Sequence, residues 1–299
     1  MIIKNKNLIN YKCYYQNCIR LTYIDNKIYV FICCSSEYGW GQPIAIYTIE
    51  EILSNDIFEK LSENIKNHKI KIHKQCFDTI YDIDNKECLL GTKCLSSKID
   101  IVEFCTEQSC NLNCKMCTLK HHNSKEITDL YFKLLYHFKG HHLEQISLTQ
   151  QGEPFFHKKE TFEYLTSLTP DDCKKICIVS NLTLLNDDDI KKLVEINKKI
   201  KIIIVASIDG LTEDTYKKIR NNNLFLKVMH NADLLIKYNI LDSVNFVVQN
   251  ENIHELLLAY EYWNNIKNIK FKAIPVNNLN DSYIEDNELY KKYLKIITN

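Results

Sequence analysis

Six short apolar runs, each followed by an amphipathic stretch, set the fold of most of this chain. They read IDIVEF (99–104), EQISLT (144–149), KICIVS (175–180), IKIIIVAS (200–207), SVNFVV (243–248) and IKFKAI (269–274). Apolar residues at helical spacing lie between them, near 126–138, 158–167, 187–198, 224–238 and 252–266, with a last stretch near 284–297. Apolar runs separated by helices read as parallel strands covered on both sides. Six βα units over ~200 residues are too few for a closed eight-unit barrel. The expected fold is therefore α/β, an open, partial (β/α)6 barrel over residues 98–299.

Residues 1–97 have another rhythm. IRLTYI (19–24) and KIYVFI (27–32) read as a β-hairpin turning at Asp25-Asn26. IEEILSNDIFEKLSENI (49–65) carries apolar residues at helical spacing and divides into two short helices, with Ser54 capping the second. The expectation is a small cysteine-rich α+β lobe, a unit with so little core that a metal would be needed to hold it.

The chain has 13 cysteines, and 11 of them fall in the first 117 residues. The opening MIIKNKNLINYK lacks an apolar signal region, and the longest apolar runs are of strand length. The expected compartment is the cytoplasm, where thiols stay reduced and cysteine patterns point to metal binding or catalysis. Cys173 and Cys177, alone near an apolar strand, read as small buried hydrophobes. With 38 basic and 38 acidic side chains, no general attraction to nucleic acid or to an anionic membrane is expected.

The densest group is SCNLNCKMCTLK, which places Cys110, Cys114 and Cys117 directly after the first barrel strand. In α/β barrels the chemistry sits on the loops after the strands. Three thiolates in one loop can hold three irons of a [4Fe–4S] cube, for which a full protein set would be four. The fourth iron is then open to another ligand, as the open position is in a catalytic zinc site.

C-x3-C-x2-C at this place resembles the radical S-adenosylmethionine (SAM) superfamily. The resemblance implies that Cys110, Cys114 and Cys117 carry the catalytic cluster and that its open iron chelates SAM. Met116 stands where the family usually has an aromatic residue near the adenine. Gln151-Gly152-Glu153-Pro154 is similar to the family's G-G-E-P motif, with Gln in place of the first Gly. There the Glu153 carboxylate or neighbouring carbonyls would accept from the SAM ammonium. Ser180-Asn181-Leu182 resembles T-N-G, with Leu for Gly. Ser207, Asp209, Gly210, Tyr216 and Arg220 resemble S-x-D-G…Y-x-x-x-R. By that resemblance Ser207 and Asp209 lie near the ribose or carboxylate of SAM. Arg220 would pair the carboxylate, with a surface ion pair as its bland alternative. Gln249 stands at a position the family often keeps polar. Asn252 does too, with helix capping as its alternative. Backbone around Ile274 would meet the adenine edge.

The N-terminal cysteines resemble those of a SPASM or twitch domain, placed before the barrel rather than after it. The implied auxiliary-cluster ligands are Cys18, Cys33, Cys76 and Cys94, with Cys13, Cys34 and Cys88 as alternates. With Cys105 there are thiols for two clusters, and one is expected; a structural zinc is the rival. The His121-His122 and His141-His142 doublets read as solvated. The expected protein is a radical SAM enzyme reduced by a partner such as flavodoxin or ferredoxin, with the N-terminal lobe as a lid. A peptide or protein side chain is the favoured substrate. A dehydrogenase or epimerase of sugars or other small molecules is the first alternative. A non-enzymatic Fe–S or zinc sensor is the second.

Overall fold

The computed structural model describes residues 18–32, 43–67, 99–106, 108–117, 124–148, 151–276 and 287–298. The chain divides into two compact units. Unit 1 takes residues 1–107, 129–147 and 171–174; unit 2 takes 108–128, 148–170 and 175–299.

In unit 1, β1 (Cys18–Ile24) and β2 (Lys27–Ile32) form the expected hairpin. Asp25 and Asn26 both have positive φ, 47° and 60°, as a two-residue turn matched to strand twist requires. A third strand, β3 (Ala45–Tyr47), pairs antiparallel with β2 and has no counterpart among the sequence expectations. The short helices α1 (Ile49–Ile52) and α2 (Ile57–Asn67) follow. Thr48 caps α1 in a reciprocal box: its hydroxyl accepts from Glu51 N at 3.2 Å, and Glu51 Oε2 accepts from Thr48 N at 2.8 Å.

β1 also pairs in parallel with β4 (Ile101–Cys105), which in turn pairs in parallel with β5 (Gln145–Leu148). The hairpin therefore extends the same ladder as the first barrel strand. Alternation separates the two faces of this ladder. Ile19, Leu21, Val102, Phe104 and Ile146 share one face, and Phe104 meets Phe138 edge-on at 5.5 Å just past α3 (Lys125–His137). The opposite face buries polar side chains, Arg20, Thr22, Glu103, Gln145 and Ser147, beside Ile101 and Cys105. Arg20 Nε and Nη2 donate to Glu103 Oε2 at 2.9 and 2.7 Å, across a register that sets the two residues side by side.

Unit 2 is a run of parallel strands, β6 (Lys175–Ser180), β7 (Lys201–Ser207), β8 (Leu241–Val248) and β9 (Lys270–Pro275), in that order. Its helices are α4 (Lys158–Ser167), α5 (Asp187–Asn197), α6 (Glu213–Arg220) and α7 (Phe225–Lys237). After β8 come a 3-10 turn (Ile253–Glu255), α8 (Leu256–Tyr260) and a π-helical turn (Glu261–Ile266), and α9 (Asn287–Thr298) closes the chain. Phe271 of β9 packs between Phe246 of β8 and Tyr260 of α8, which marks the helix-covered face. Ser207, Asn245 and Val247 alternate onto the other face. This is the α/β class expected, a mostly parallel sheet that does not close on itself. Among the described residues no helix is long and apolar enough to cross a membrane.

Candidate functional site

Three loops and one helix end of unit 2 bond back onto the three-cysteine loop. The first is the turn after β5. Gly152 lies so close to Ser109 that a Cβ there would sit 2.1 Å from the Ser109 carbonyl oxygen, and Glu153 N donates to that oxygen at 2.8 Å. Only glycine allows this approach. Gly152→Ala is expected to force the two loops apart, costing about 3 kcal/mol by overpacking. Urea unfolding checks the stability and an iron count checks loading; wild-type values for both would refute the close contact.

Glu153 is buried and engaged. Its Oε1 accepts from Ser180 Oγ at 2.7 Å and from Phe155 N at 3.2 Å, and its Oε2 accepts from Asn181 N at 2.7 Å. Both carboxylate oxygens are thus turned to the end of β6. Burial pushes the Glu153 carboxyl up to about 7, against an ordinary 4.5, although the Asn181 and Ser180 donors pull it down. A value raised on folding contributes stability below the unfolded value and loses it as pH rises through the folded one. Roughly 3 kcal/mol of stability is therefore expected to disappear between pH 4.5 and 7. Denaturant unfolding across that range should show the slope, and Glu153→Gln should flatten it.

Asn181 is the second link. Its Nδ2 donates to Asn111 Oδ1 at 3.2 Å and reaches Cys110 Sγ at 4.0 Å. Its Oδ1 accepts from Thr183 N and Oγ1 at 2.9 and 2.6 Å, and Asn111 Nδ2 donates to Thr183 Oγ1 at 2.9 Å. Leu182, where the family usually has Gly, adopts φ 61° while fully buried. Such a conformation costs a non-glycine residue about 1 kcal/mol or more. Asn231 offsets it by donating to the Leu182 and Leu185 carbonyls at 2.9 and 3.0 Å.

The third link is the C-terminal end of α6. Lys115 N donates to the Ile219 carbonyl at 2.8 Å, one of the helix-end acceptors that need an outside partner. Arg220 lies next to it, only 7% exposed. Its Nη2 is 2.6 Å from Asp209 Oδ2, and its Nη1 donates to Cys114 Sγ at 3.6 Å. It is neither a surface ion pair nor free to face a ligand with its whole fork. Burial opposes its charge, but Asp209 and Cys114 hold its pKa above the ordinary value.

Glu251 supplies the fourth link by pairing with Lys115 of the loop, and nearby Asn252 does not cap the following turn. Its Nδ2 donates to the Asp209 and Val247 carbonyls at 3.0 and 2.8 Å, and its Oδ1 accepts from Gln249 N at 2.8 Å. Asp209 Oδ1 accepts from Val247 N at 2.7 Å, so the ends of β7 and β8 are sewn together. Glu255, invisible to motif reading, holds the start of α6 through Leu211 N, Thr212 Oγ1 and Thr215 Oγ1 at 2.7–2.9 Å.

Two features fit a bound cofactor. Cys110, Cys114 and Cys117 share one loop and are only half-buried, with Met116 among them. Burial pushes the Cys110 thiol up to about 11, despite the Leu112 N–H at 3.5 Å, so this thiol stays protonated near neutrality unless a metal takes it. Gln249 is fully buried, yet among the described residues neither its Nε2 nor its Oε1 has a partner. A buried amide in that state calls for a polar ligand. Among the described residues no three His, Cys, Asp or Glu side chains surround a point that one metal ion could fill. A cube asks for something else, one thiolate on each of three separate irons.

Ser207 is half-buried at the end of β7, and Ile274 is exposed on β9. Gln151 Oε1 accepts from Gln108 Nε2 at 3.2 Å. Cys18 is buried at the start of β1; Cys13, Cys33, Cys34, Cys76, Cys88 and Cys94, like His121 and His122, lie outside the described residues.

Residues 107–262 match the radical SAM superfamily, and the chain belongs to it. Among curated proteins, the uncharacterized protein MJ0804 of Methanocaldococcus jannaschii is 23% identical over 211 residues, 63% of this chain and 68% of that protein. Among solved structures, Streptococcus suis SuiB bound to S-adenosylmethionine aligns with a TM-score of 0.51 at 15% identity, over 67% of this chain and 48% of SuiB. SuiB bound to its precursor peptide SuiA aligns with a TM-score of 0.52 at 15% identity, over 81% and 58%. anSMEcpe with bound AdoMet gives 0.50 at 20% identity, over 66% and 59%. The chain thus spans between about half and three-fifths of the length of these structures, and at such identities the likeness concerns the fold.

Proposed function

We propose that this chain is a radical SAM enzyme that modifies a peptide or protein side chain. Cys110, Cys114 and Cys117 would hold a [4Fe–4S] cluster with one open iron, and the backbone of 151–154 with Ser207, Gln249 and Ile274 would hold SAM. When bound and reduced, the cluster supplies the electron that splits SAM into methionine and a hydrogen-abstracting 5′-deoxyadenosyl radical. This chain's residues bind, orient and shield. Asn181 and Arg220 reach the sulfurs of the loop, Gly152 brings carbonyls beside it, and the Gln249 amide offers one donor and one acceptor.

The observation that carries the reading is that the turns after β5 and β6 and the end of α6 all bond to the 109–115 loop. A peptide substrate is favoured because SuiB, a protein of the same fold, has been seen with a precursor peptide. The reading extends to an auxiliary cluster on residues 1–97, with Cys18 among its ligands, and to reduction by flavodoxin or ferredoxin in the cytoplasm.

Anaerobic reconstitution with iron and sulfide, followed by dithionite and SAM, tests the proposal. Formation of 5′-deoxyadenosine is expected, with more iron bound than one cube holds if the auxiliary cluster exists. A colourless protein that binds zinc and yields no 5′-deoxyadenosine would refute it.

A further inference from the structure

A guanidinium that serves an incoming carboxylate needs its paired N–H groups turned to that ligand. In Arg220 the fork is already divided. One end, Nη2, lies on Asp209 at 2.6 Å; the other, Nη1, donates to Cys114 Sγ at 3.6 Å. The division is braced from both sides. Asp209 is fixed by Val247 N at 2.7 Å on its carboxylate and by Asn252 Nδ2 at 3.0 Å on its carbonyl. The cluster loop is fixed to the same helix end by Lys115 N on the Ile219 carbonyl at 2.8 Å. Arg220 and Asp209 are both buried, so solvent does little to damp the charge of the guanidinium.

We propose that Arg220, positioned by Asp209, tunes the reduction potential of the cluster held by Cys110, Cys114 and Cys117. The inference rests on the cluster reading given above. The reduced cluster carries one more negative charge than the oxidised one. A cationic N–H on a ligand sulfur stabilises that added charge, and hydrogen bonds to sulfur and local net charge are known levers on Fe–S potentials. Asp209 cancels part of the cation's far field but leaves its near end, Nη1, facing the sulfur. Arg220 thus makes the cluster easier to reduce, and the electron itself comes from the external reductant. Lysine would keep the charge but lose the fork that spans Asp209 and Cys114 together.

The test uses the full chain, anaerobically reconstituted, as wild type, Arg220→Lys and Arg220→Gln. Dye-mediated titration followed by electron paramagnetic resonance gives the midpoint potential without SAM. The signal belonging to this cluster is the one missing from the variant with Cys110, Cys114 and Cys117 all changed to Ala. Equilibrium dialysis with labelled SAM gives the affinity. The expected result is a more negative midpoint in Arg220→Gln, an intermediate one in Arg220→Lys, and SAM affinities within about threefold of wild type. Equal midpoints with SAM binding weakened tenfold or more in Arg220→Gln would make Arg220 a ligand of the SAM carboxylate and overturn the proposal. Equal midpoints with equal affinities would reduce Arg220 to a structural brace and overturn it too. Should Arg220→Gln fail to hold iron, Arg220→Lys decides: a midpoint below wild type supports the proposal and an unchanged one overturns it. A wild-type chain that takes up no iron at the loop refutes the cluster reading instead, a result distinct from all of these.

Discussion

Changing Cys110, Cys114 and Cys117 together to Ala is expected to remove the iron of one [4Fe–4S] cluster and to abolish 5′-deoxyadenosine formation. The loss should be complete, because three thiolates are the whole protein share of such a site. The fold should survive. The three side chains are half-buried, and the main-chain bonds that shape their loop, Glu153 N to Ser109 O and Lys115 N to Ile219 O, do not involve sulfur. Iron and sulfide counts, with circular dichroism as the control for folding, check the result. A variant that keeps all its iron would move the cluster to other residues.

The second large effect concerns stability in unit 1. Arg20 and Glu103 are 7% and 4% exposed and face each other across β1 and β4. Removing one partner takes a charge-assisted, bidentate contact away from a buried charge, at a cost of about 3–5 kcal/mol. Glu103→Leu alone should therefore unfold at much lower urea. Arg20→Met with Glu103→Leu should recover part of the loss, because neither buried charge of this pair then remains. If the single change is as mild as an ordinary surface substitution, the pair is not buried as described.

The βα series and the hairpin were legible where a strand is a compact apolar run: KICIVS spans the whole of β6, and KIYVFI the whole of β2. Other elements gave less signal. β3 is three residues long, below the length at which alternation can be read. The helix α6, EDTYKKIR, offers only Tyr216 and Ile219 as apolar positions. The parallel pairing of β1 with β4 could not be foreseen, since nothing in IRLTYI names a partner 83 residues away. The division of the chain into 1–97 and 98–299 remains an expectation for the same reason. At the site, motif spacing identified which residues gather but not what each one touches. Arg220 was found by its place in a pattern, whereas its grip on Asp209 and Cys114 depends on the path of the chain through β7 and α6. The positive φ of Leu182 was foreshadowed by the glycine usual at that place. Glu255 and Asn231 were silent because their partners lie 40 to 49 residues away.

The β1–β4 ladder also bears on how the protein is made. A ribosome adds about 5–20 residues per second, so the stretch that separates Arg20 from Glu103 takes on the order of ten seconds to emerge. For that interval one edge of the newborn hairpin faces water with its hydrogen-bonding groups unmatched, the state in which strands adhere to foreign chains. Completion of this ladder is a late event of biogenesis, and a holding chaperone would be of most use to the chain before residue 101 appears.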